Sequence, residues 1–172
     1  IARAGGATVA VIAMQPWLRQ ILGASGFKNI QQIVMLEWQY QPWAGGEPQG
    51  VHIRRMTEAD LPAVTRTDAA SFDPLWQNSL ETLQKAFAQS LIATVAENAD
   101  GVIGYQLSTG GGQRAHLARL AVHKTMQGRG VGRALLGDLF AKLVNDSIFK
   151  LSVNTQSDNA VSLSLYQKMG FY

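Results

Sequence analysis

Between Leu117 and Leu136 a short apolar strand runs through three closely spaced glycines, Gly128, Gly130 and Gly132, into an amphipathic helix. Few folds accommodate that layout. Glycines lack the Cβ atoms that would hold a ligand off the backbone, and the helix beginning there aims unpaired N–H groups and its positive dipole end at the loop. From Val131 the apolar residues fall at Leu135, Leu136, Leu139, Phe140, Leu143 and Val144, which is helical spacing. Strand, loop and helix are each supported separately, and together they describe a cradle for a pyrophosphate.

The neighbours of the glycines narrow the ligand. A P-loop needs Gly-Lys-Ser/Thr, whereas Gly132 is followed by Arg133 and Ala134. A dinucleotide fingerprint needs its third glycine at Arg133 and an acidic residue closing the next strand, which is expected to end at Asn154. What does fit is Gln127-x-x-Gly130-x-Gly132, which resembles the acyl-coenzyme A signature of the GNAT-type N-acetyltransferase superfamily. A second motif strengthens the resemblance. A strand from Phe149 to Asn154 is followed by Asn159-Ala-Val-Ser-Leu-Ser-Leu-Tyr166-Gln-Lys-Met-Gly170-Phe171, and the superfamily has the same strand, a similar Asn-Ala-x-x-Leu-x-Leu-Tyr helix and the same Gly-Phe ending.

The resemblance implies an α/β fold, a mixed and mostly antiparallel central sheet flanked by helices. It implies an N-acetyltransferase that moves an acetyl group from acetyl-coenzyme A, a cosubstrate, to a primary amine by direct attack in a ternary complex, with no metal. In that reading the backbone N–H groups of Gln127, Gly128, Arg129, Gly130, Val131 and Gly132 take the pyrophosphate. Lys124, Arg129 and Arg133 supply cations beside it. Leu120, Ala121 and Val122 line the pantetheine like an added strand and polarise the thioester carbonyl. Asn154 and Asn159 orient the coenzyme or a water. Tyr166 is the candidate general acid, because a phenol of reference pKa about 10 stays protonated beside a thiol of about 8.5.

The general base is left open. Many relatives carry a glutamate on the strand before the cradle, near the position of Arg119, and this strand has no acidic residue. His116, Asp73 and Glu81 are candidates, acting through water. The missing glutamate also suits a different class of protein, a module that senses acyl-coenzyme A without turning it over. Acceptors in the catalytic reading are a small-molecule amine or a peptide N-terminus.

Composition agrees with a globular chain of one domain and an appendage. Of 172 residues, 47% are hydrophobic and 16% charged, and a net charge of +3 is too mild for a nucleic-acid footprint. Zero cysteines exclude disulfides and thiol nucleophiles, and His52, His116 and His123 have no metal-ligand spacing. The apolar stretch Val9 to Met14 is too short to span a membrane, and it lacks the flanks of a signal peptide. A cytoplasmic enzyme with no membrane or nucleic-acid partner is expected.

A turn-rich stretch, residues 41–50, reads as a linker. From 51 the expected order is strand (51–56), a helix capped by Thr57 and Asp60 with Leu61 and Val64 on its core side, and a break at Ser71. A helix from about Ser79 follows, carrying Leu80, Leu83, Phe87 and Leu91. Next come a hairpin (92–97 and 102–108) turning at Asp100-Gly101, a glycine loop (109–112), a strand from Ala115 to Val122, and the two motifs. Residues 51–172 thus form the acetyltransferase-like domain.

Residues 1–40 carry an apparent internal repeat. With Gly26-Phe27 laid on Gly170-Phe171, both segments read strand, break, amphipathic helix, Gly-Phe, but Asn154 faces Ala10, Asn159 faces Gln15 and Tyr166 faces Leu22. The segment reads as the tail of a degenerate first acetyltransferase half, with Ile30 to Trp38 as its terminal strand. The chain starts without methionine and stops where the superfamily continues with further strands, as expected of a fragment of a tandem protein. The apolar run Ile33-Val-Met-Leu36 must be covered, either by the sheet of the 51–172 domain or by a second chain in a homodimer formed by strand exchange.

Overall fold

The computed structural model describes residues 2–4, 7–13, 15–42 and 45–172. The expectation for Trp43 and Ala44 within the linker lies outside the described residues. A six-stranded sheet organises the fold, with β3 (Ile33–Gln39), β8 (Lys150–Gln156), β7 (Arg114–Val122), β6 (Gly101–Gly111), β5 (Ile92–Asn98) and β4 (His52–Arg55) side by side in that order. Every neighbouring pair is antiparallel except β7 with β8, so the sheet is mixed and mostly antiparallel, as the resemblance implied.

Both faces of the sheet are packed because strand residues alternate between them. On one face α2 (Leu61–Ser71) and α3 (Leu80–Ala88) bring Leu61, Val64 and Leu83 against Val95, Tyr105, Leu107 and Ala121. On the other, α4 (Val131–Asn145) sets Val131 and Leu135 on Ala96 and Ile103, and Leu139, Phe140 and Leu143 on Trp38, Leu117, Leu151 and Val153. The helix α5 (Ala160–Lys168) completes that second cluster with Tyr166, followed by Met169 and Phe171.

Local signals set most boundaries. The Asp60 carboxylate accepts from the Thr57 N–H (2.8 Å) and hydroxyl (2.9 Å), and the Ser79 hydroxyl caps α3 by accepting from the Thr82 N–H at 3.2 Å. The hairpin turns at Gly101, whose φ of +108 suits glycine. Some expectations fail. Leu91 lies beyond α3, which ends at Ala88, and is 40% exposed, whereas Leu83 is buried within the helix. The stretch 109–112 is strand up to Gly111, with only Gly112 in the turn: β6 pairs Gly110 with Ala115, and a Cβ on Gly110 would lie 2.5 Å from the Arg114 carbonyl, so glycine lets the hairpin close. Likewise β8 ends at Gln156, two residues past Asn154, because β3 extends the ladder on its other side.

In the N-terminal segment a short hairpin, β1 (Ala2–Ala4) with β2 (Ala7–Val9), stands where the repeat placed a single strand ahead of the helix. The helix α1 (Pro16–Ala24) has the nine-residue length of α5 and ends in the same way. Phe27 N–H bonds Leu22 C=O at 2.9 Å as Phe171 N–H bonds Tyr166 C=O at 3.0 Å, and Gly26 and Gly170 hold φ of +80 and +86. No residue of α1 is buried, and Trp17 and Ile21 stand 59% and 55% exposed. Beyond it β3 pairs antiparallel with β8 of the same chain over its whole length. On the opposite edge of β3, Glu37 and Tyr172 exchange two backbone hydrogen bonds of 3.0 Å.

Candidate active site

Strands β7 and β8 share only four paired positions, from Arg114 opposite Lys150 to Leu117 opposite Val153. There they part. A register shift against β6 leaves Ala118 unpaired between Leu117 and Arg119, and such a bulge bends and twists its strand. Past it Leu120, Ala121 and Val122 pair with Gln106, Tyr105 and Gly104 of β6, while Asn154, Thr155 and Gln156 of β8 pair with β3. The result is a wedge whose β7 wall is an open strand edge.

The glycine loop stands at the mouth of that wedge. A 3-10 turn (Lys124–Met126) follows β7, and the Gln127 side chain donates to the Val122 carbonyl at 3.0 Å, tying the loop to the strand end. Gly128 and Gly130 have φ of +74 and +86, conformations that side-chain-bearing residues resist. Gly130 is the N-cap of α4, and the first bond of the helix runs from Ala134 N–H to its carbonyl at 3.0 Å, which leaves the N–H groups of Val131, Gly132 and Arg133 ahead of the ladder. Gly132 has a different reason to be glycine than ligand approach alone: a Cβ there would lie 3.1 Å from Leu165 on α5. The linker is not remote either, since a Cβ on Gly130 would meet Pro48 at 3.4 Å and Glu47 accepts from the Ile53 N–H at 2.9 Å.

The other candidates divide. Tyr166 is buried among the apolar residues under α4, its ring 5.2 Å from that of Phe171, and burial pushes its phenol well above the usual tyrosine value. It is therefore protonated across the working pH range. Asn159 caps α5, its side-chain oxygen accepting from the Ser162 N–H at 3.1 Å, so that oxygen already has a structural partner. Asn154 is exposed on β8, on the face away from Leu151 and Val153.

On the strand before the glycine loop, Arg119 serves the fold. Its guanidinium lies 2.6 Å from the fully buried Asp68 of α2, donates to the Trp76 carbonyl at 2.7 Å and sits over the Phe72 ring at 3.6 Å. Asp68 also accepts from the Tyr105 hydroxyl at 2.5 Å and the Asn78 N–H at 2.8 Å, so its oxygens are fully engaged. Sequence reasoning missed Asp68. The available signal was a carboxylate four residues after Val64, on the apolar stripe of α2, where an acid needs a buried partner.

Among the base candidates, Glu81 is exposed and paired with Lys85 at 2.7 Å, and Asp73 precedes a 3-10 turn (Pro74–Trp76) on the exposed surface. His116 is half-buried beside the parting point of the strands, with its Nδ1 2.9 Å from the Ser152 hydroxyl. Burial lowers its pKa below the ordinary histidine value.

A profile of the acetyltransferase (GNAT) family matches residues 54–171. Among solved structures the chain resembles a GCN5-related N-acetyltransferase from Sphaerobacter thermophilus, with a TM-score of 0.74 and 16% identity over 93% of this chain and 54% of that one. It therefore spans about half the length of that protein. It also resembles the PaiA N-acetyltransferase of Thermoplasma acidophilum, solved in complex with coenzyme A (TM-score 0.65, 18% identity, 71% of this chain and 89% of that one). A ribosomal-protein-alanine N-acetyltransferase from Brucella melitensis superposes with a TM-score of 0.59 at 26% identity, over 70% of this chain and 84% of that one.

Proposed function

The chain belongs to the acetyltransferase (GNAT) family, and from that premise we propose that it transfers the acetyl group of acetyl-coenzyme A to a primary amine, on a small molecule or a peptide N-terminus. The observation that carries the reading is the wedge: an open strand edge at Leu120–Val122 leads straight to a helix N-terminus built on glycines. One structure supplies extended backbone donors and acceptors, the other a ready anion site. Acetyl-coenzyme A brings the activated thioester. The N–H groups from Gln127 to Gly132 hold its pyrophosphate, Leu120 to Val122 hold its arm and polarise the carbonyl, Asn154 and Asn159 flank it, and Tyr166 returns a proton to the sulfur as it leaves.

Residues 51–172 form the acetyltransferase unit, and residues 1–40 are the closing part of a degenerate second copy. The matched ends of α1 and α5 support that division. One observation favours the second reading, a sensing module: Arg119 and Asp68 are both committed to a structural ion pair, so no carboxylate stands on the strand. Turnover of acetyl-coenzyme A against a panel of amines separates the two. Transfer to an amine is expected, and coenzyme binding without transfer would favour the sensor.

A further inference from the structure

The face of the sheet opposite α4 and α5 holds an unassigned row of polar side chains. Leu36 and Trp38, Leu151 and Val153, and Ala115 and Leu117 all point into the cluster under α4, so the residues between them point the other way. The backbone register lines these up across three strands: Glu37 is opposite Ser152, and Ser152 is opposite His116. This row lies one position before the strands part. A strand rises about 3.3 Å per residue, so His116 is roughly 7 Å along β7 from the bulge at Ala118.

One hydrogen bond orients the ring. With the Ser152 hydroxyl turned to the Ala115 carbonyl, 3.5 Å away, its oxygen can receive a proton carried on Nδ1 of His116 at 2.9 Å, and that is the tautomer the assignment requires. In it Nε2 is bare. A half-buried, neutral imidazole with a free lone pair is what a base requires. The charged groups on this face are Arg114 and Arg119 on the same strand, Lys150 on β8, Glu37 on β3 and Asp73 on the segment that Arg119 holds. Arg119 is already neutralised by Asp68.

We propose that His116, oriented by Ser152, is the proton acceptor that frees the amine for attack, an assignment that rests on the acetyltransferase reading above. The substrate ammonium gives one proton to Nε2, directly or through a water. Its lone pair then forms the C–N bond at the thioester carbonyl, and the C–S bond breaks with its electron pair leaving on sulfur. Sulfur takes the phenolic proton of Tyr166, the second proton on nitrogen restores the phenol through solvent, and the imidazolium releases its own to water.

The test has two arms. Histidine 15N spectra of the free chain should show His116 neutral at pH 7 with its proton on Nδ1, and a proton on Nε2 overturns the assignment whatever the turnover. In the second arm kcat and KM are followed from pH 5.5 to 9.5 with acetyl-coenzyme A and a panel of an alkylamine, a polyamine and a peptide with a free N-terminus. His116→Gln should lower kcat about 100-fold and abolish the acid limb, while the thermal shift produced by acetyl-coenzyme A is unchanged. Ser152→Ala should displace that limb with a smaller loss. Undiminished turnover in folded His116→Gln removes His116 from the chemistry and leaves the transferase reading standing. Absence of turnover in the wild-type chain refutes both.

Discussion

Asp68 on α2 and Arg119 on β7 lie 2.6 Å apart, and the pair pins the segment between α2 and α3 to the strand that carries the coenzyme edge. Asp68 is fully buried and the Arg119 side chain only 16% exposed, so removing Arg119 would strand a buried carboxylate and removing Asp68 a largely shielded guanidinium. Asp68→Ala is expected to destabilise by about 3–5 kcal/mol, measured as a fall in urea midpoint at constant slope. A loss below about 1 kcal/mol would mean that water reaches the pair.

The three glycines should fail in different ways. Gly130→Val meets a strained φ of +86 and blocks the N–H groups at the helix start, so coenzyme binding should vanish while most stability remains. For the wild-type chain, ligand at a hundredfold over its Kd should add about 2.7 kcal/mol. Gly132→Ala should instead cost stability through Leu165, and Leu165→Ala should restore part of it. Thermal melts of the variants with and without acetyl-coenzyme A test both statements, and equal shifts in Gly130→Val and wild type would discard the cradle.

Tyr166→Phe deletes one hydroxyl and keeps the packing against Phe171. Turnover should drop about 10²- to 10⁴-fold, with the Kd of acetyl-coenzyme A unchanged. Because burial raises the phenol's pKa, no falling limb from Tyr166 is expected in the pH profile up to pH 10. Full activity in Tyr166→Phe would reduce Tyr166 to a core residue.

Trp38 stacks on Phe140 with centroids 4.2 Å apart and is 1% exposed, so β3 belongs to the core of the domain it joins. Trp38→Ala is expected to cost about 3–5 kcal/mol, and deletion of residues 1–45 should expose the outer edge of β8 and leave the protein insoluble or strongly destabilised. A soluble deletion with an unchanged denaturation midpoint would show β3 to be dispensable.

Acid stability should depend on Asp60. The Arg54 guanidinium, at 2.7 Å, and the Thr57 donors hold its carboxyl well below the usual range, against the opposing effect of its burial. Unfolded, the same group takes up its proton near pH 4, so in that region the unfolded state binds more protons. The contribution is full above about pH 4 and is lost as pH falls toward the folded value. Asp60→Asn should therefore flatten the fall of the urea midpoint between about pH 4 and pH 2, and an unchanged slope would refute the linkage.

What the sequence determined by itself was local or periodic: the apolar spacing from Leu135 to Leu143, the caps at Thr57 and Ser79, the turn at Gly101, and the glycine loop whose two left-handed positions need glycine whatever surrounds them. These depend on neighbours within a turn or two, so a one-dimensional pattern contains them. Other features needed distant parts of the chain in contact. The Asp68–Arg119 pair, the packing of Gly132 on Leu165, the bulge that parts β7 from β8 and the row Glu37, Ser152, His116 each join residues far apart in sequence. Only the folded sheet, through its register and the parity of its side chains, decided which of these meet, and therefore which histidine Ser152 holds beside the parting strands.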